Sequence, residues 1–515
     1  MTRSKFGRRR REERSLKENG EPKESDIEKW KRTSAEVTYE LKAFHELTIQ
    51  VDNDLKVEVM ILQGIAEICG VKLENNLKYY FGSHSNVTIF TYHGCSISVI
   101  KGSSTTCIET SNETSVDTLL NIHLSLEEFR AEALKSKSPM PVTLCIGGTQ
   151  SGRITAVETL LNYNLRQASD EDKKIFYVDL NLSQNLLSIP GSIGACIAHN
   201  PPSVREGFLS NLKNCVIYCF GHTNPLDDIG LFKFQMQKLA ELIKARREKF
   251  RKLEVLINAP IWTQGSGYKL LLKTCQDFQV THVIVCESCT TYNQLIEDLP
   301  PFVKIIHTSR LISSTLKIIP RLRREQSDQI MEYFFGTTSQ PFTPYRIELE
   351  FDQVKVFTIE KIVPNSGKRA RSKATSIELK VRHENAIMGV VHVPLVENPK
   401  PEDFYRTVIQ HYVAVFHVST GRATVQIISP VPRSTFCSPV CMILTDQKLS
   451  DSFDSKPLIV DLLEKGSNRE RSRTRDKRKE GEKQAKSSER DKGKEKKVKE
   501  GEAEKKASKE DKEKE

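Results

Sequence analysis

The run Val142-Thr-Leu-Cys-Ile-Gly147 ends in a glycine-rich turn, and the turn opens directly into a helical pattern. Apolar residues at Ile154, Val157, Leu160, Leu161 and Leu165 share one face of a 3.6-residue helix. Strand, tight loop and helix in that order predict the βα corner of an α/β domain. In such a corner, backbone N–H groups and the helix N-terminus converge on one point, as an anion site requires. The spacing Gly147-x-x-x-x-Gly152 supplies the first and sixth positions of a P-loop. The next two positions depart from it. Arg153 stands where a lysine should reach the β- and γ-phosphates, and Ile154 where a hydroxyl should hold Mg²⁺. Arginine keeps the charge, but its planar fork does not replace a compact ammonium. Isoleucine supplies no oxygen, so the metal loses a ligand. The Thr155 hydroxyl lies one residue further on and points about 100° away. The pattern indicates P-loop descent and speaks against phosphoryl transfer.

The rest of the chain places this corner in the middle of three domains. Continuous apolar runs at Val142–Ile146, Ile175–Leu180, Val216–Phe220, Leu253–Ile257, Val280–Val285 and Val303–Ile306 alternate with helical segments. Strands buried on both faces predict a parallel sheet over 138–336. Residues 36–135 show short alternating runs punctuated by Gly70, Gly82 and Gly94, the texture of an all-β module. A helical stretch, Leu124 to Leu134, leads from it into the linker Lys135-Ser-Lys-Ser-Pro-Met-Pro141. Strand patterns return over 337–465 and predict a smaller third domain.

Charge is concentrated at the ends. The net charge is +11 over 515 residues, and residues 1–35 and 466–515 hold much of the Lys and Arg with almost no aromatic or β-branched residues. Such tails cannot bury enough apolar surface to order themselves. The C-terminal one reads either as a solubilising tail or as a tether for RNA or a partner. The cluster Arg8-Arg9-Arg10-Arg11 reads as a nuclear-import or phosphate-contacting signal. No stretch reaches the roughly 20 apolar residues needed to span a bilayer. The twelve scattered cysteines resemble reduced thiols, which favours an intracellular protein.

A wider set of landmarks resembles one family. They are Glu46-Leu47, Gly64-Ile-Ala-Glu-Ile-Cys-Gly70, Phe90-Thr-Tyr-His-Gly-Cys95, and the Gly147 loop with Leu160-Leu-Asn-Tyr163. Further on come Ser188-Ile-Pro-Gly-Ser-Ile-Gly194, Asn258 to Tyr268, Tyr292-Asn-Gln-Leu295 with Asp298-Leu-Pro300, and Glu332-Tyr-Phe-Phe-Gly336. In this order they resemble the eukaryotic polyribonucleotide 5′-hydroxyl kinases that serve as the pre-mRNA cleavage complex II subunit. The resemblance implies an N-terminal β-sandwich, a central P-loop α/β domain and a small C-terminal α/β domain. It implies that Glu46 and Asn86 cover the adenine end of ATP. Gly147 and Gln150, Ser151, Gly152, Arg153, Ile154 and Thr155 would then occupy the phosphate loop. It also implies a large cleavage-factor scaffold subunit as partner, and location in the nucleus.

Other positions depart from the family. Its Asp-x-Gly-Gln is Asn181-Leu-Ser-Gln184 here, and an amide cannot accept a substrate proton. Its lysine at position 86 is Asn86, and Lys317 stands at the first lid position. Leu322 or Arg323 stands at the second. The predicted protein is a non-catalytic subunit of the pre-mRNA 3′-end cleavage and polyadenylation machinery, with ATP as a structural ligand and no organised Mg²⁺. The alternatives are an active RNA 5′-hydroxyl kinase and a subunit of a tRNA splicing endonuclease assembly. Trp262 resembles a position facing the RNA cleft, where it would stack on a base; a loop tryptophan is the plainer account. Lys317, Arg321, Arg323 and Arg324 read equally as a basic lid for RNA or as a solvated helix. His93 and His222 read as structural, and Cys286-Glu-Ser-Cys289 has zinc half-site spacing without a nearby second pair.

Overall fold

The computed structural model describes residues 34–460 apart from 52–55, 83–84, 103–105, 113, 115, 149–150, 167–174, 200–203, 205–214, 251–252, 260–261, 263, 312–318, 338–339, 363–370, 392–405 and 451–457. Gln150, Lys317, the Arg8–Arg11 cluster and the 466–515 tail lie outside the described residues, as do the side chains of 319–325.

The first domain comprises β1 (Ala35–Leu41), β2 (His45–Val51), β3 (Lys56–Gly64), β4 (Glu67–Ile68), β5 (Val71–Lys72), β6 (Lys78–Gly82), β7 (Asn86–Thr91), β8 (Cys95–Lys101) and β9 (Thr106–Ser111). They form a sandwich of two sheets, ordered β1-β8-β3-β6 and β5-β4-β7-β2-β9. Period-2 alternation sends Val57, Val59 and Ile61 of β3 inward against Leu47, Ile49 and Val51 of β2. Helix α1 (Val116–Ser136) follows, starting eight residues before the predicted stretch at Leu124.

The central domain holds β10 (Val142–Gly147), α2 (Arg153–Arg166), β11 (Ile175–Asp179), β12 (Ser192–Ala198), β13 (Val216–Cys219), α3 (Ile229–Lys249), β14 (Glu254–Asn258), α4 (Gly265–Asp277), β15 (His282–Cys286), α5 (Cys289–Asp298), β16 (Lys304–Thr308) and α6 (Ile319–Phe335). The sheet order is β13-β12-β11-β14-β10-β15-β16. β10 pairs in parallel with both β14 and β15, so its loop emerges where the connections diverge to either side, the crevice position of open α/β sheets. The sheet is mixed: five of its strands pair in parallel, and β12 runs antiparallel to both its neighbours, β11 and β13. Between β11 and β12 residues 180–191 form a largely buried loop with no crossover helix, and the next strand reverses.

The C-terminal domain contains β17 (Tyr345–Glu350), β18 (Val354–Ile362), β19 (Arg371–Ile377), β20 (Ala386–Val391), β21 (Ile409–Ser419), β22 (Thr424–Ser429) and β23 (Val440–Lys448). They run in the order β19-β18-β23-β20-β21-β22-β17. The domain is built on this one sheet. Among the described residues this domain is a sheet with 3₁₀ turns, and its helical layer is α6, which precedes it. Ile330, Phe334 and Phe335 of α6 pack on Ile387, Tyr412, Ile428 and Ile443 of the sheet.

Two contacts lock the sandwich and α1 to the P-loop domain. The β4–β5 hairpin lies on α2, with Tyr163 Oη donating to Glu67 Oε1 (2.7 Å) and Asn162 Nδ2 to the Cys69 carbonyl (2.7 Å). Gly70, at φ +79°, is required because a Cβ there would lie 3.1 Å from the Thr159 carbonyl. Beneath it, buried Arg130 of α1 makes a bidentate pair with buried Glu254 of β14 at 2.6 and 2.8 Å. Asn164 Nδ2 also donates to Glu254, and Glu127 takes a third guanidinium bond at 2.7 Å. Burial opposes the Arg130 charge, but Glu254 and Glu127 outweigh it and hold its pKa above the usual value.

Candidate functional site

Close packing fixes the two glycines that frame the loop. A Cβ on Gly147 would stand 2.4 Å from Ser151 Oγ and 2.8 Å from Cys286 Cβ. Gly152 sits at φ +79°, where a Cβ would stand 2.4 Å from Leu311 Cβ. Ser151 is fully buried. Its Oγ donates to the Gly148 carbonyl at 2.9 Å, and its own carbonyl accepts from Leu311 N at 3.2 Å. The segment after β16 therefore buttresses the loop through Leu311. Gly147, Ser151, Gly152, Arg153, Ile154 and Thr155 lie together in the loop and the first turn of α2.

Arg153 does not project into the mouth of the loop. Its side chain is buried, and Nη1 donates to Asn258 Oδ1 and to the Ala259 carbonyl at the end of β14. Its Nε has no partner. Burial lowers the guanidinium pKa, and nearby Asp179 works in the other direction. A lysine at this position would be a point charge on a flexible stem; the arginine fork instead bridges two oxygens of the sheet edge.

Asn258 connects this arginine to a carboxylate that the sequence reading did not single out. Its Nδ2 donates to Asp179 Oδ1 at 3.1 Å. Asp179 is fully buried and accepts three further bonds, from Asn181 N (2.9 Å), Leu186 N (2.8 Å) and Tyr177 Oη (2.8 Å). Burial pushes its pKa up to about 6, against these donors and Arg153. With about four acceptor positions on a carboxylate, all are in use. Asp179 organises the turn that follows and offers no spare lone pair to a metal. A charged residue closing the apolar strand Ile175–Asp179 was the available signal.

The turn itself is self-satisfied. Asn181 Nδ2 donates to the Gln184 carbonyl (3.0 Å), and its Oδ1 accepts from Ser183 Oγ (3.0 Å). From α6, Gln326 Nε2 donates to the Ser183 carbonyl (2.8 Å) and Gln329 Nε2 to the Ser188 carbonyl (2.8 Å). The amide at 181 is thus consumed by its own loop, and two glutamines hold that loop against α6.

The two residues expected at the adenine end, Glu46 and Asn86, lie apart. Glu46, Glu67, Thr88, Phe90, Thr155 and Leu311 line a cleft of about 30 Å³, close to the volume of a single water and far below the roughly 300–1,000 Å³ of ligand pockets. Glu46 is buried, its Oε2 has no partner, and burial raises its pKa. That atom suits a donor such as an exocyclic amine. Asn86 is not beside it: Asn86 faces Gln50 in the β2–β7 ladder, whereas Glu46 faces Phe90. Four residues of strand separate the two by roughly 13 Å.

The remaining candidates are dispersed. Trp262 is buried, stacked edge-on against Phe232 at 5.5 Å in the domain core, which removes it from any base-stacking role. His222 pairs with Asp446, tying β13's end to the C-terminal sheet. His93 is exposed in a turn. Cys286 is buried beside Gly147, while Cys289 is exposed with its Sγ 3.5 Å from His307 Nε2. All twelve cysteines are free thiols. No described helix is long and apolar enough to cross a membrane.

A β-sandwich joined to a P-loop domain whose glycine loop sits at the topological switch defines a protein of the P-loop kinase class, a nucleotide-binding class. The family described as "mRNA cleavage and polyadenylation factor CLP1 P-loop" matches residues 147–336, and its N-terminal β-sandwich domain matches 40–133. The chain belongs to the Clp1 family. It is 30% identical over 407 residues to the human protein named polyribonucleotide 5′-hydroxyl-kinase Clp1, covering 77% of this chain and 92% of that one. It is 29% identical over 425 residues to the Xenopus laevis protein of the same name, covering 81% and 94%. Among solved structures, a Clp1p–Pcf11p complex superposes with a TM-score of 0.69 at 17% identity, covering 81% of this chain and 98% of that one. A second, which describes the Pcf11p–Clp1p interface and the loss of ATP in a glycine-to-arginine point mutant, gives 0.70 at 17%, covering 81% and 99%.

Proposed function

We propose that this chain is a nuclear, non-catalytic Clp1-type subunit of the pre-mRNA 3′-end cleavage and polyadenylation machinery, bound to a large cleavage-factor scaffold subunit of the Pcf11 kind. The kinase scaffold is kept as a rigid binding platform. The observation that carries this reading is the inward fold of Arg153 onto Asn258 and Ala259. It turns the loop's own cation away from where the β- and γ-phosphates would sit.

Magnesium does not fit the residues present. Ile154 offers only hydrocarbon, Asn181 is hydrogen-bonded within its own turn, and Asp179 has no free lone pair. The adenine end does retain a recognition atom in Glu46 Oε2. ATP therefore binds here weakly and without metal dependence, as a structural ligand rather than a phosphoryl donor.

Equilibrium titration with ATP tests this. In the wild type, adding Mg²⁺ should leave affinity unchanged. The Arg153→Lys, Ile154→Thr double variant frees the sheet edge and restores both an ammonium and a hydroxyl. It should bind ATP at least about tenfold more tightly in Mg²⁺, equivalent to about 1.4 kcal/mol. Tight, Mg²⁺-dependent binding by the wild type would refute the reading.

A further inference from the structure

The sheet's other edge carries a groove that plays no part in the nucleotide site. It lies where the strands begin, between the linker into β10 and the C-terminal ends of α3 and α4, and encloses about 490 Å³. Ala240, Ile243 and Phe278 form an apolar floor. Lys137, Lys244 and Arg247 stand around it.

The charge of this rim is not balanced within the fold. Asp277, which also lines the groove, gives Oδ1 to Lys273 at 2.6 Å, while its Oδ2 is buried without a partner. Arg247 donates Nη2 to the Met140 carbonyl at 2.6 Å, which fixes its guanidinium at the rim while its charge stays uncompensated. Lys137 and Lys244 are exposed, and neither forms an ion pair among the described residues. Arg246 and Lys249 in the last turn of α3 add to the same field, against Glu248 and the Lys273-paired Asp277. Cations at a helix C-terminus are locally favourable, which accounts for one or two of them. The dipole does not account for an apolar floor sunk between them.

We infer that this groove is a docking site for an acidic peptide segment of a partner protein, one carrying a single large apolar side chain flanked by aspartate or glutamate. The volume suits a leucine- or phenylalanine-sized anchor with its adjoining backbone. Carboxylates on either side meet Lys137, Lys244 and Arg247, giving specificity and salt-dependent association. A nucleic-acid strand would use the same charges, but the floor favours a buried anchor. The aromatic nearby, Phe250, is not among the groove's lining residues.

The test is fluorescence anisotropy with the full-length protein and a labelled ten-residue peptide of aspartate and glutamate around one central phenylalanine. Saturable binding is expected, weakened at least about tenfold by Lys244→Glu and by serine in place of the peptide's phenylalanine, and tightened by Glu248→Lys. Both protein positions are exposed, so folding, checked by circular dichroism, is unaffected. Absence of saturation up to about 1 mM peptide would overturn the proposal. So would affinity indifferent to Lys244→Glu, or tighter binding of a ten-nucleotide single-stranded RNA that displaces the peptide.

Discussion

Asp179→Ala is expected to lower the stability of the central domain by about 3–5 kcal/mol. The carboxylate accepts from Tyr177, Asn181, Leu186 and Asn258, all at a fully buried position. The tyrosine hydroxyl can turn to another acceptor. The two backbone N–H groups and the Asn258 amide cannot, and each buried orphan donor costs about 1–3 kcal/mol. Loss of Asn258's anchor also loosens the acceptor of Arg153. Chemical denaturation followed by near-ultraviolet circular dichroism would read the change.

The same residue has a pH signature. Its folded-state pKa is raised from 3.8 to about 6. The stabilisation linked to that proton is therefore fully present below about 3.8 and is lost as pH rises through about 6. Asp179→Asn cannot titrate. Hence the stability gap between wild type and Asp179→Asn should widen on going from pH 7 to pH 4, by roughly 2.4 kcal/mol. Other carboxylates titrate in both proteins and cancel in the difference. A gap that narrows on acidification would contradict the assignment.

Arg130→Ala is expected to cost a similar amount, about 3–5 kcal/mol, because it leaves the Glu254 carboxylate buried without its counter-charge. Two controls separate charge from geometry. Arg130→Lys keeps the charge but loses the bidentate bonds, so it should fall between wild type and alanine. Arg130→Met combined with Glu254→Leu removes both charges and should recover most of the loss. Limited proteolysis of the α1–β10 linker would show whether α1 detaches, as expected in the alanine variant alone.

These two clusters show where sequence reading stops. The Gly147–Gly152 frame was legible because strand, loop and helix are contiguous and each has its own period. The central strands were legible because burial on both faces leaves an uninterrupted apolar run. β12 was not, since Ser192-Ile-Gly-Ala-Cys-Ile-Ala198 is built from small residues with little β signal. β17 alternates plainly in Tyr345-Arg-Ile-Glu-Leu-Glu350, the period-2 pattern that predicts strands over 337–465. Arg130 and Glu254 are 124 residues apart, and no local pattern joins them. The direction of Arg153 was equally hidden: its spacing marks a phosphate position, but Asn258 and Ala259, which capture it, arrive only through the parallel pairing of β10 with β14.

The altered positions act together. Arginine at 153 needs acceptors, and Asn258 and Ala259 supply them. Asn258 in turn needs Asp179, and Asp179 sets the turn in which Asn181 is used up. A hydroxyl at 154 alone would not rebuild the site while Arg153 is held on the sheet edge, which is why the restoring variant changes both.

Incubation of the purified protein with γ-labelled ATP, Mg²⁺ and a 5′-hydroxyl RNA tests the central claim most directly. No label should appear on the RNA above the level of a protein-free control. Label transfer by the wild type that is lost when Gly152→Val disrupts the phosphate loop would contradict it.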